Sequence, residues 1–337
     1  MNAIIFSIIL FLMNCTSRPG ADANVQTSTD TIGIAATKDS LNKIIHGELV
    51  VQIPVRQFFK EGSINDIGYG ETSLRYLMPL TFYKDLHHFY IPDRSRLSLR
   101  VLDAKGKVSS PIKIPLKDFT FYKIDRVDSH WYFLDIEKGL SVLSDQTVIE
   151  HGDEKTVDFH VDEGFKNIYL ENMLNDERAL LDQKGVLKEP LKIDYLNSFI
   201  DSSILFGISD KGENRYTIVR RDLKDNSESE YVSFTTSCST CFIMPSFLDE
   251  HHIISSIDNP SVRDQVTIIN QGESSANHYL LEYPFKVNRL VSDVSAGVSY
   301  SGYMYFYDQE SKVLYSLCTD KEFIRIFSFD LNQLEQH

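Results

Sequence analysis

Six acidic residues close similar short apolar segments along the chain and could supply oxygen ligands. They are Asp93, Asp135, Glu171, Asp210, Asp258 and Asp308. A group of oxygens at one height could bind Ca²⁺, which takes six to eight oxygen ligands. Equivalent positions away from a common axis lie too far apart to share one ion. The interpretation we favour is therefore that each acid caps its own turn.

Histidines at the opposite ends of the same segments form a second set. They are His87, His88, His130, His251 and His252. Zinc needs three or four ligands that converge on one point. Adjacent histidines in a strand point to opposite faces, so each pair offers one inward ligand at most. We expect polar strand ends with partners in neighbouring turns, and no metal site.

Two cysteines, Cys238 and Cys241, form the most specific short pattern in the body of the chain. In an exported protein, a disulfide between them is the first interpretation, and free thiols are the second. Redox catalysis or metal binding is a third. Strand-like sequence surrounds the pair, whereas a thioredoxin-like role would place it at the start of a helix. Cys318 lies in the strand-like segment VLYSLC and is expected to be a buried apolar residue.

Asp158 and Asp162 are the candidate acid and base if the protein is an enzyme. Both lie in TVDFHVDEG, a segment expected to form an innermost strand. The chain has no Gly-x-Ser-x-Gly elbow, phosphate-binding loop, His-Glu-x-x-His or dinucleotide fingerprint. Aromatic residues such as Trp131 could line a rim that binds sugars or peptides, but packing within sheets is the expectation we favour.

The first fifteen residues, MNAIIFSIILFLMNC, contain an apolar run that is too short to cross a bilayer as a helix. Leu12-Met13-Asn14-Cys15 resembles a bacterial lipoprotein box. The resemblance implies that residues 1–15 are a signal peptide and that the Cys15 thiol carries a fatty acyl group. Asn14 stands where Gly, Ala or Ser is usual, and no Lys or Arg precedes the apolar run. A buried N-terminal strand or helix is the alternative.

Residues 16–45 follow as an expected flexible tether. The segment from Thr16 to Ser40 is rich in Ser, Thr, Ala, Asp and Gly and has no sustained apolar period. It cannot bury enough surface to offset the entropy of ordering it. A body covering residues 46–337 would then be held close to a membrane of the cell envelope.

The net charge is −14 and the pI is about 5.2. Nucleic-acid binding is built on Lys and Arg that replace counterions, so this composition argues against nucleic acid as a partner. Anionic lipid headgroups are disfavoured as direct partners for the same reason. The membrane is expected to be reached through the lipid anchor only.

The body repeats a pattern of strands and turns. HHFYIPD, HWYFLDI, KNIYLEN, SILFGISD, HHIISSID and GYMYFYD begin at intervals of 43, 36, 37, 48 and 51 residues. Each is expected to be the second strand of its unit, with one strand-like segment ahead of it and others after it. This typically gives four strands per unit, as in the blades of a β-propeller. VLDAKGKV and ALLDQKGVL place Asp103 and Asp182 at equivalent hairpins two units apart, with Asp145 between them and Asp222 after them.

In the spacing of its strands and the residues of its hairpins, the chain resembles the six-bladed β-propellers of the NHL and TolB type, in particular the lipid-anchored propellers of Gram-negative bacteria. The resemblance covers roughly residues 45 to 332. It implies an all-β fold of four-stranded antiparallel blades, with six blades expected and seven possible. The remaining strand, ELVVQIPV, is expected to pair beside the last blade and close the ring.

Fold does not determine function, so the sequence leaves several functions open. The first is a lipid-anchored module that binds a peptide, a glycan or a partner protein of the envelope. The second is a hydrolase or lyase that uses carboxylates, and a divalent cation such as Ca²⁺, at a mouth of the channel. A redox protein that works through Cys238 and Cys241 is the third.

Overall fold

The computed structural model describes most of the chain beyond residue 42. Helices, strands and contacts are described for residues 43–58, 79, 81–117, 119–135, 138–144, 147–150, 156–162, 166–174, 177–182, 187, 189–212, 215–235, 243–257, 265–269, 276–284, 304–319 and 322–332. The predicted signal peptide, Cys15 and nearly all of the predicted tether lie outside these residues. So do Cys238, Cys241, Asp145 and Asp258. Within the described part of the chain, no helix has the length and apolar character needed to cross a membrane.

The described residues form 25 strands and one short helix, α1 (Val55–Phe58). The first strands are β1 (Lys43–His46), β2 (Glu48–Pro54), β3 (Tyr83–Lys84), β4 (His88–Asp93), β5 (Ser98–Asp103), β6 (Ile112–Lys113), β7 (Lys123–Val127), β8 (His130–Asp135), β9 (Gly139–Ser144), β10 (Thr147–Glu150), β11 (Thr156–Asp162) and β12 (Asn167–Leu174). The others are β13 (Glu177–Asp182), β14 (Leu191–Lys192), β15 (Asn197–Asp201), β16 (Ile204–Asp210), β17 (Arg215–Asp222), β18 (Glu228–Thr235), β19 (Ile243–Phe247), β20 (His252–Ile257), β21 (Gln265–Ile269), β22 (Ala276–Glu282), β23 (Tyr305–Asp308), β24 (Val313–Thr319) and β25 (Phe323–Asp330).

These strands form a β-propeller of antiparallel sheets. Five sheets have four strands, in the orders β3-β4-β5-β6, β7-β8-β9-β10, β11-β12-β13-β14, β15-β16-β17-β18 and β23-β24-β25-β2. A further sheet has five strands, in the order β19-β20-β21-β22-β1. The described residues thus contain five four-stranded blades rather than the six or seven predicted, because β1 adds a parallel strand to the remaining sheet.

The first strands of neighbouring sheets lie side by side and form the inside of the propeller. Contacts link β3 to β7, β7 to β11, β11 to β15 and β15 to β19. The ring of His252 in β20 lies 4.9 Å from that of Tyr307 in β23. Lys84 in β3 forms an ion pair with Asp308 in β23 at 3.0 Å. Neighbouring sheets are therefore linked all the way around.

Turns fall at two ends of this ring. We call the strands of each sheet a, b, c and d from the inside outward. The a–b and c–d turns lie at one end, the a–b end, and the b–c turns lie at the other, the b–c end. The pairing of Asp128 with Lys166 at 3.0 Å joins the a–b turns of neighbouring sheets and fixes them at the same end.

Hydrophobic cores lie between neighbouring sheets. In one of them, Leu317, Ile324 and Ile326 of the last sheet pack with Phe89 and Leu102 of the β3–β6 sheet, and all five side chains are nearly inaccessible to water. Alternation of side chains along each strand gives both faces of a sheet apolar residues, so that each sheet can pack against two neighbours.

The N-terminal segment of residues 43–58, which we call the latch, contacts three consecutive sheets. β1 pairs in parallel with β22, and β2 pairs in antiparallel fashion with β25, as the sequence predicted for ELVVQIPV. Helix α1 then docks on the β3–β6 sheet. Arg100 donates to the carbonyl oxygen of Gln57 at 2.9 Å, and both Arg96 and Arg100 donate to that of Phe58. The two guanidinium groups satisfy carbonyls that the helix end leaves without partners.

The latch also changes the order of strands in the last sheet. GYMYFYD was expected to form a second strand, as its counterparts do in the other sheets. It forms β23 instead, which is the innermost strand. The C-terminal part of the chain supplies only three strands to this sheet, because β2 already occupies the outermost position.

The hairpins have the turn chemistry that the sequence predicted. Asp103 ends β5 and accepts hydrogen bonds from the backbone N–H groups of Lys105 and Lys107, each at 2.9 Å. Gly106 has φ of 76°, which glycine adopts without strain. Asp182 ends β13, the equivalent strand two sheets later, and accepts from Leu187 N–H at 2.9 Å. Asp222 ends β17 and accepts from Lys224 N–H at 2.8 Å.

Removing the latch should unfold the propeller. The latch buries the five apolar side chains of Ile45, Val51, Ile53, Val55 and Phe58. At about 1.5–3 kcal/mol each, they contribute about 7–15 kcal/mol, which is as large as the whole stability of a typical domain. We expect a chain that begins at residue 59 to lose its cooperative thermal transition in circular dichroism.

The matched control is a chain that begins at residue 43 and keeps the latch. We expect it to melt at the same temperature as the full chain. If the chain that begins at residue 59 melted cooperatively at that temperature as well, the latch would not be needed for closure.

Candidate functional site

Of the six acids predicted to end strands, Asp258 lies outside the described residues, and the other five do not converge on one ion. Asp135 accepts a hydrogen bond from Thr120 N–H at 2.6 Å, and Asp210 accepts from Gly212 N–H at 2.7 Å. Asp93 is fully buried and forms ion pairs with Arg96 at 2.7 Å and Arg100 at 3.2 Å. Asp93, Asp210 and Asp308 cap their own turns, as the interpretation we favoured expected, since Asp93 accepts from Arg96 N–H and Asp308 from Ser311 N–H, each at 3.2 Å. Asp135 binds Thr120, which precedes β7, and the interpretation is wrong for Glu171, which lies within β12 rather than at a turn.

The predicted histidines also have local partners. Asp249 accepts from the backbone N–H groups of His251 and His252 at 2.7 Å, and its carboxylate lies 2.8 Å from His252 Nδ1. Asp85 accepts in the same way from His87 N–H at 2.9 Å and His88 N–H at 2.8 Å. The two segments share the pattern Asp-x-His-His and form equivalent a–b turns. In the described part of the chain, none of these histidines belongs to a group that could hold a metal.

Trp131 packs inside the propeller rather than on a rim. The residue is 5% exposed, and the centre of its ring lies 4.7 Å from that of Tyr90 and 5.4 Å from that of Tyr83. Cys318 is buried with a free thiol, as predicted.

Polar side chains instead collect around the β11–β14 sheet, where it meets the β7–β10 sheet on one side and the β15–β18 sheet on the other, toward the b–c end. We call this group the seam cluster, and it consists of Lys123, Asp158, His160, Glu171, Arg178 and Ser198. They come from β7, β11, β12, β13 and β15. Asp158 and His160 lie two residues apart in β11 and so share a face. The same face carries Glu171, the cross-strand partner of Asp158.

Glu171 is the centre of the seam cluster and is fully buried. Its Oε1 lies 2.7 Å from His160 Nε2 and accepts a hydrogen bond from the Ser198 hydroxyl. Its Oε2 accepts from Arg178, with Nε at 3.1 Å. Arg178 also donates to the carbonyl oxygen of Tyr195 at 2.7 Å. Ser198 and Tyr195 belong to the next blade, so these contacts join two blades through one carboxylate.

The surroundings of Glu171 favour its charged form. Burial alone would raise the pKa of this carboxyl. The hydrogen bond and charge of His160, together with Arg178 and Ser198, outweigh burial and hold the pKa well below its ordinary value.

Asp158 and Asp162 are not brought together as an acid and base. They are four residues apart in β11, which separates them by about 13 Å in an extended strand. Asp158 forms an ion pair with Lys123 at 2.9 Å. Asp162 is buried and accepts from the N–H groups of Ser202 at 3.3 Å and Ser203 at 2.9 Å. Asp162 therefore holds the neighbouring a–b turn, and β11 is an innermost strand as predicted.

The seam cluster does not have the geometry of a serine nucleophile with its base. In such a triad the serine and the acid contact different nitrogens of the histidine. Here Ser198 and Glu171 both lie near Nε2 of His160, at 3.3 Å and 2.7 Å, and Ser198 donates to Glu171. All three residues are buried.

Three members, Asp158, His160 and Glu171, could in principle hold a metal, because their ligand atoms lie within 4.8 Å of one another. The two carboxylates are already balanced by Lys123 and Arg178. A divalent cation would add two positive charges to a buried site that is neutral when His160 is neutral, and such charges are costly without partners. The contacts fit a structural network better than a metal centre.

No protein-family model and no curated protein matches the chain. Solved structures with similar folds include a streptogramin B lyase, with 11% identity and a TM-score of 0.43 over 77% of this chain and 95% of that chain. The WD40 domain of Neurospora crassa Pan2 has 8% identity and a TM-score of 0.48 over 85% and 96%. Regucalcin, a calcium-binding protein from Agrobacterium tumefaciens, has 10% identity and a TM-score of 0.47 over 86% and 97%. Values this low support no inference about activity.

Removing the Glu171 carboxylate should weaken the join between the two blades. Breaking a buried ion pair by deleting one partner costs about 3–5 kcal/mol, because the other charge remains buried. We expect Glu171→Ala to lower the unfolding free energy by that amount in urea titration. Glu177→Ala is the control, because Glu177 lies in the same sheet in an exposed pair with Lys192, and it should change the unfolding free energy little.

The Glu171 carboxylate should also make the free energy of unfolding depend on pH in the acidic range. Because its folded pKa is lowered, its contribution is complete above its ordinary pKa of 4.5 and is lost as the pH falls below that value. Glu171→Gln should therefore show a flatter fall in stability between about pH 5 and pH 3 than the parent. Equal slopes for the two proteins would contradict the role given to Glu171.

Divalent cations should not stabilise the protein through the seam cluster. A cation present at 100 times its dissociation constant would add about 2.7 kcal/mol and raise the melting temperature by several degrees. We expect no such rise with Ca²⁺, Mn²⁺ or Zn²⁺ in differential scanning fluorimetry. A rise that Glu171→Gln abolishes would identify the cluster as a metal site.

Proposed function

We propose that this protein is an exported, lipid-anchored propeller that binds a peptide, a glycan or a partner protein of the cell envelope. The observation that carries this proposal is the state of the seam cluster. Its carboxylates, its histidine and its serine contact one another, and the carboxylates form ion pairs with the side chains of Lys123 and Arg178. A catalytic site needs groups placed to contact substrate, whereas a binding module needs a stable frame that presents loops.

In this proposal we count the five-stranded sheet, β19 to β22 with β1, as a sixth blade that completes the ring. The lipid anchor rests on the resemblance of Leu12-Met13-Asn14-Cys15 to a lipoprotein box. With a net charge of −14, a basic peptide is the best electrostatic match among the ligand classes.

A second candidate is a cation-dependent hydrolase or lyase. It is favoured by one observation, the approach of Asp158, His160 and Glu171 to within 4.8 Å. Ca²⁺ prefers oxygen ligands, so a set that includes a histidine suits a transition metal better. Cation-dependent stabilisation that Glu171→Gln abolishes is the result that would favour this candidate.

The anchor can be tested by fractionation. We expect the full chain to sediment with membranes and to be extracted by detergent, and Cys15→Ser to leave that fraction for the soluble fraction. Cys318→Ser is the matched control, because Cys318 lies in the body, and it should not change the distribution. Equal distributions of the full chain and Cys15→Ser would overturn the anchor.

Binding can be tested with the purified body from residue 43 onward. A pull-down from envelope extract and a glycan array should each be compared with a heat-unfolded sample of the same protein. A partner retained only by the folded body supports the proposal. Blank results in both experiments would contradict it.

A further inference from the structure

The strand β1 is a fifth strand on a sheet that is already complete. The strands β19 to β22 match the four strands of each other sheet, and β1 pairs with the outer edge of β22. β1 also runs parallel to its neighbour, whereas every other strand pair in the described residues is antiparallel. The edge of β22 therefore accepts an extended segment that does not belong to the meander of its own sheet.

The contacts of β1 show what this edge accepts. Its four residues pair in order with the last four residues of β22, from Tyr279 to Glu282. Ile45 is 3% exposed and belongs to the same hydrophobic core as Leu281, its partner in β22. Ile44 points to the other face of the sheet, where it is 43% exposed. The edge thus offers backbone pairing and one site for a buried apolar side chain.

A carboxylate at the end of β22 adds a preference for positive charge. The Nδ1 atom of His46 lies 2.8 Å from the carboxylate of Glu282, and the His46 side chain is 75% exposed. Histidine is charged only when protonated, whereas Lys and Arg carry their charge at all physiological pH values. A segment with Lys or Arg at this position would therefore match Glu282 better than β1 does. The net charge of −14 favours a basic ligand in the same way.

β1 is held less firmly than the rest of the latch. Among its described side chains, only Ile45 is buried. The remainder of the latch, β2 and α1, buries four apolar side chains: Val51, Ile53, Val55 and Phe58. Gly47 separates the two strands, and β2 pairs with a different sheet. β1 can therefore leave β22 while β2 stays paired with β25, as expected of a segment with few buried contacts.

The edge of β22 is also longer than β1. β22 has seven residues, Ala276–Glu282, and in the described part of the chain β1 covers four of them. A peptide of seven residues would pair with the whole edge. β1 belongs to the same chain and so has a high effective concentration at the edge. The additional backbone pairing of a longer peptide offsets this advantage.

We propose that the outer edge of β22 is a peptide-binding site and that β1 occupies it until a partner protein displaces it. The ligand is an extended segment of that partner, runs parallel to β22, and carries an apolar residue followed by Lys or Arg. At a sheet edge, main-chain hydrogen bonds supply affinity and side-chain sites supply specificity. The site filled by Ile45 and the carboxylate of Glu282 are these specificity sites. The inference rests on the function proposed above, of which it specifies the peptide case.

The test compares two variants of the full chain that differ by one position. Ile45→Asp places a carboxylate in the buried site and should release β1, whereas Ile44→Asp, at the exposed neighbouring position, should leave it paired. The probe is a fluorescent peptide with the sequence of residues 40–47, and its binding is followed by anisotropy. We expect it to bind Ile45→Asp at least about tenfold more tightly than it binds the parent or Ile44→Asp, because β1 no longer competes. A peptide with Asp at the position of Ile45 should not bind.

The charge preference is tested on the same Ile45→Asp chain. Replacing the histidine of the probe with arginine should raise its affinity roughly threefold or more, and a further Glu282→Gln substitution in the chain should remove that gain. Glutamine keeps the shape of the side chain and removes its charge. Equal affinities of the two peptides for the chain that keeps Glu282 would overturn the role given to this carboxylate.

Three results would overturn the proposal. If Ile45→Asp melts cooperatively but binds the probe no better than the parent does, the β22 edge is not the site, and the pull-down still decides the broader function. A dimer of Ile45→Asp in size-exclusion chromatography would show that a second copy of this chain takes the edge instead. If Ile45→Asp does not fold, amide exchange of the parent decides. Residues 43–46 should then exchange at least about tenfold faster than residues 48–54, and equal rates would show that β1 does not leave.

Discussion

The pairing of β2 with β25 is the contact on which the rest of the propeller depends. A ring of sheets has a first and a last sheet, and both would expose an open edge if each were built from consecutive chain alone. Here the last three strands, β23 to β25, receive their fourth strand from the N-terminal latch. The latch then continues into the first sheet through α1 and two arginines. Closure therefore joins sequence-distant segments, which is entropically costly until the whole ring is formed.

The seam cluster is the place where buried polar residues take part in the packing between sheets. Most neighbouring sheets meet through apolar cores, but the β11–β14 and β15–β18 sheets also meet through Glu171 and its partners. A buried carboxylate with three partners is not by itself evidence of stability, because desolvation offsets much of the attraction. The clearer effect of the buried Glu171 carboxylate is on how the two sheets are placed relative to each other. The Ser198 hydroxyl and the Tyr195 carbonyl oxygen reach Glu171 and Arg178 only when the β15–β18 sheet is placed as it is beside the β11–β14 sheet.

Much of the architecture could be predicted from the sequence because it follows from local patterns. The spacing of segments such as HHFYIPD and HWYFLDI predicted repeated sheets, and the Asp-x-Lys-Gly hairpins predicted equivalent turns. The unpaired segment ELVVQIPV predicted closure. β1 was not predicted, since four residues carry no clear period. The shift of GYMYFYD to an innermost strand depends on β2, which lies some 250 residues away in the chain.

The seam cluster could be predicted only in part. Asp158 was singled out, and the alternation of Asp158, His160 and Asp162 in TVDFHVDEG could have shown that they share a face. Glu171 was interpreted as the cap of a turn, yet it lies within β12 and pairs across sheets. Its partners Arg178 and Ser198 come from other strands, and nothing local marks them.

Amide hydrogen exchange followed by mass spectrometry tests the closure of the ring most directly. If β2 belongs to the cooperative core, peptides that cover residues 48–54 and 323–330 should exchange slowly and at the same rate, through global unfolding of the propeller. Rapid exchange in residues 48–54 beside protected residues 323–330 would show that the latch is not part of the closed ring.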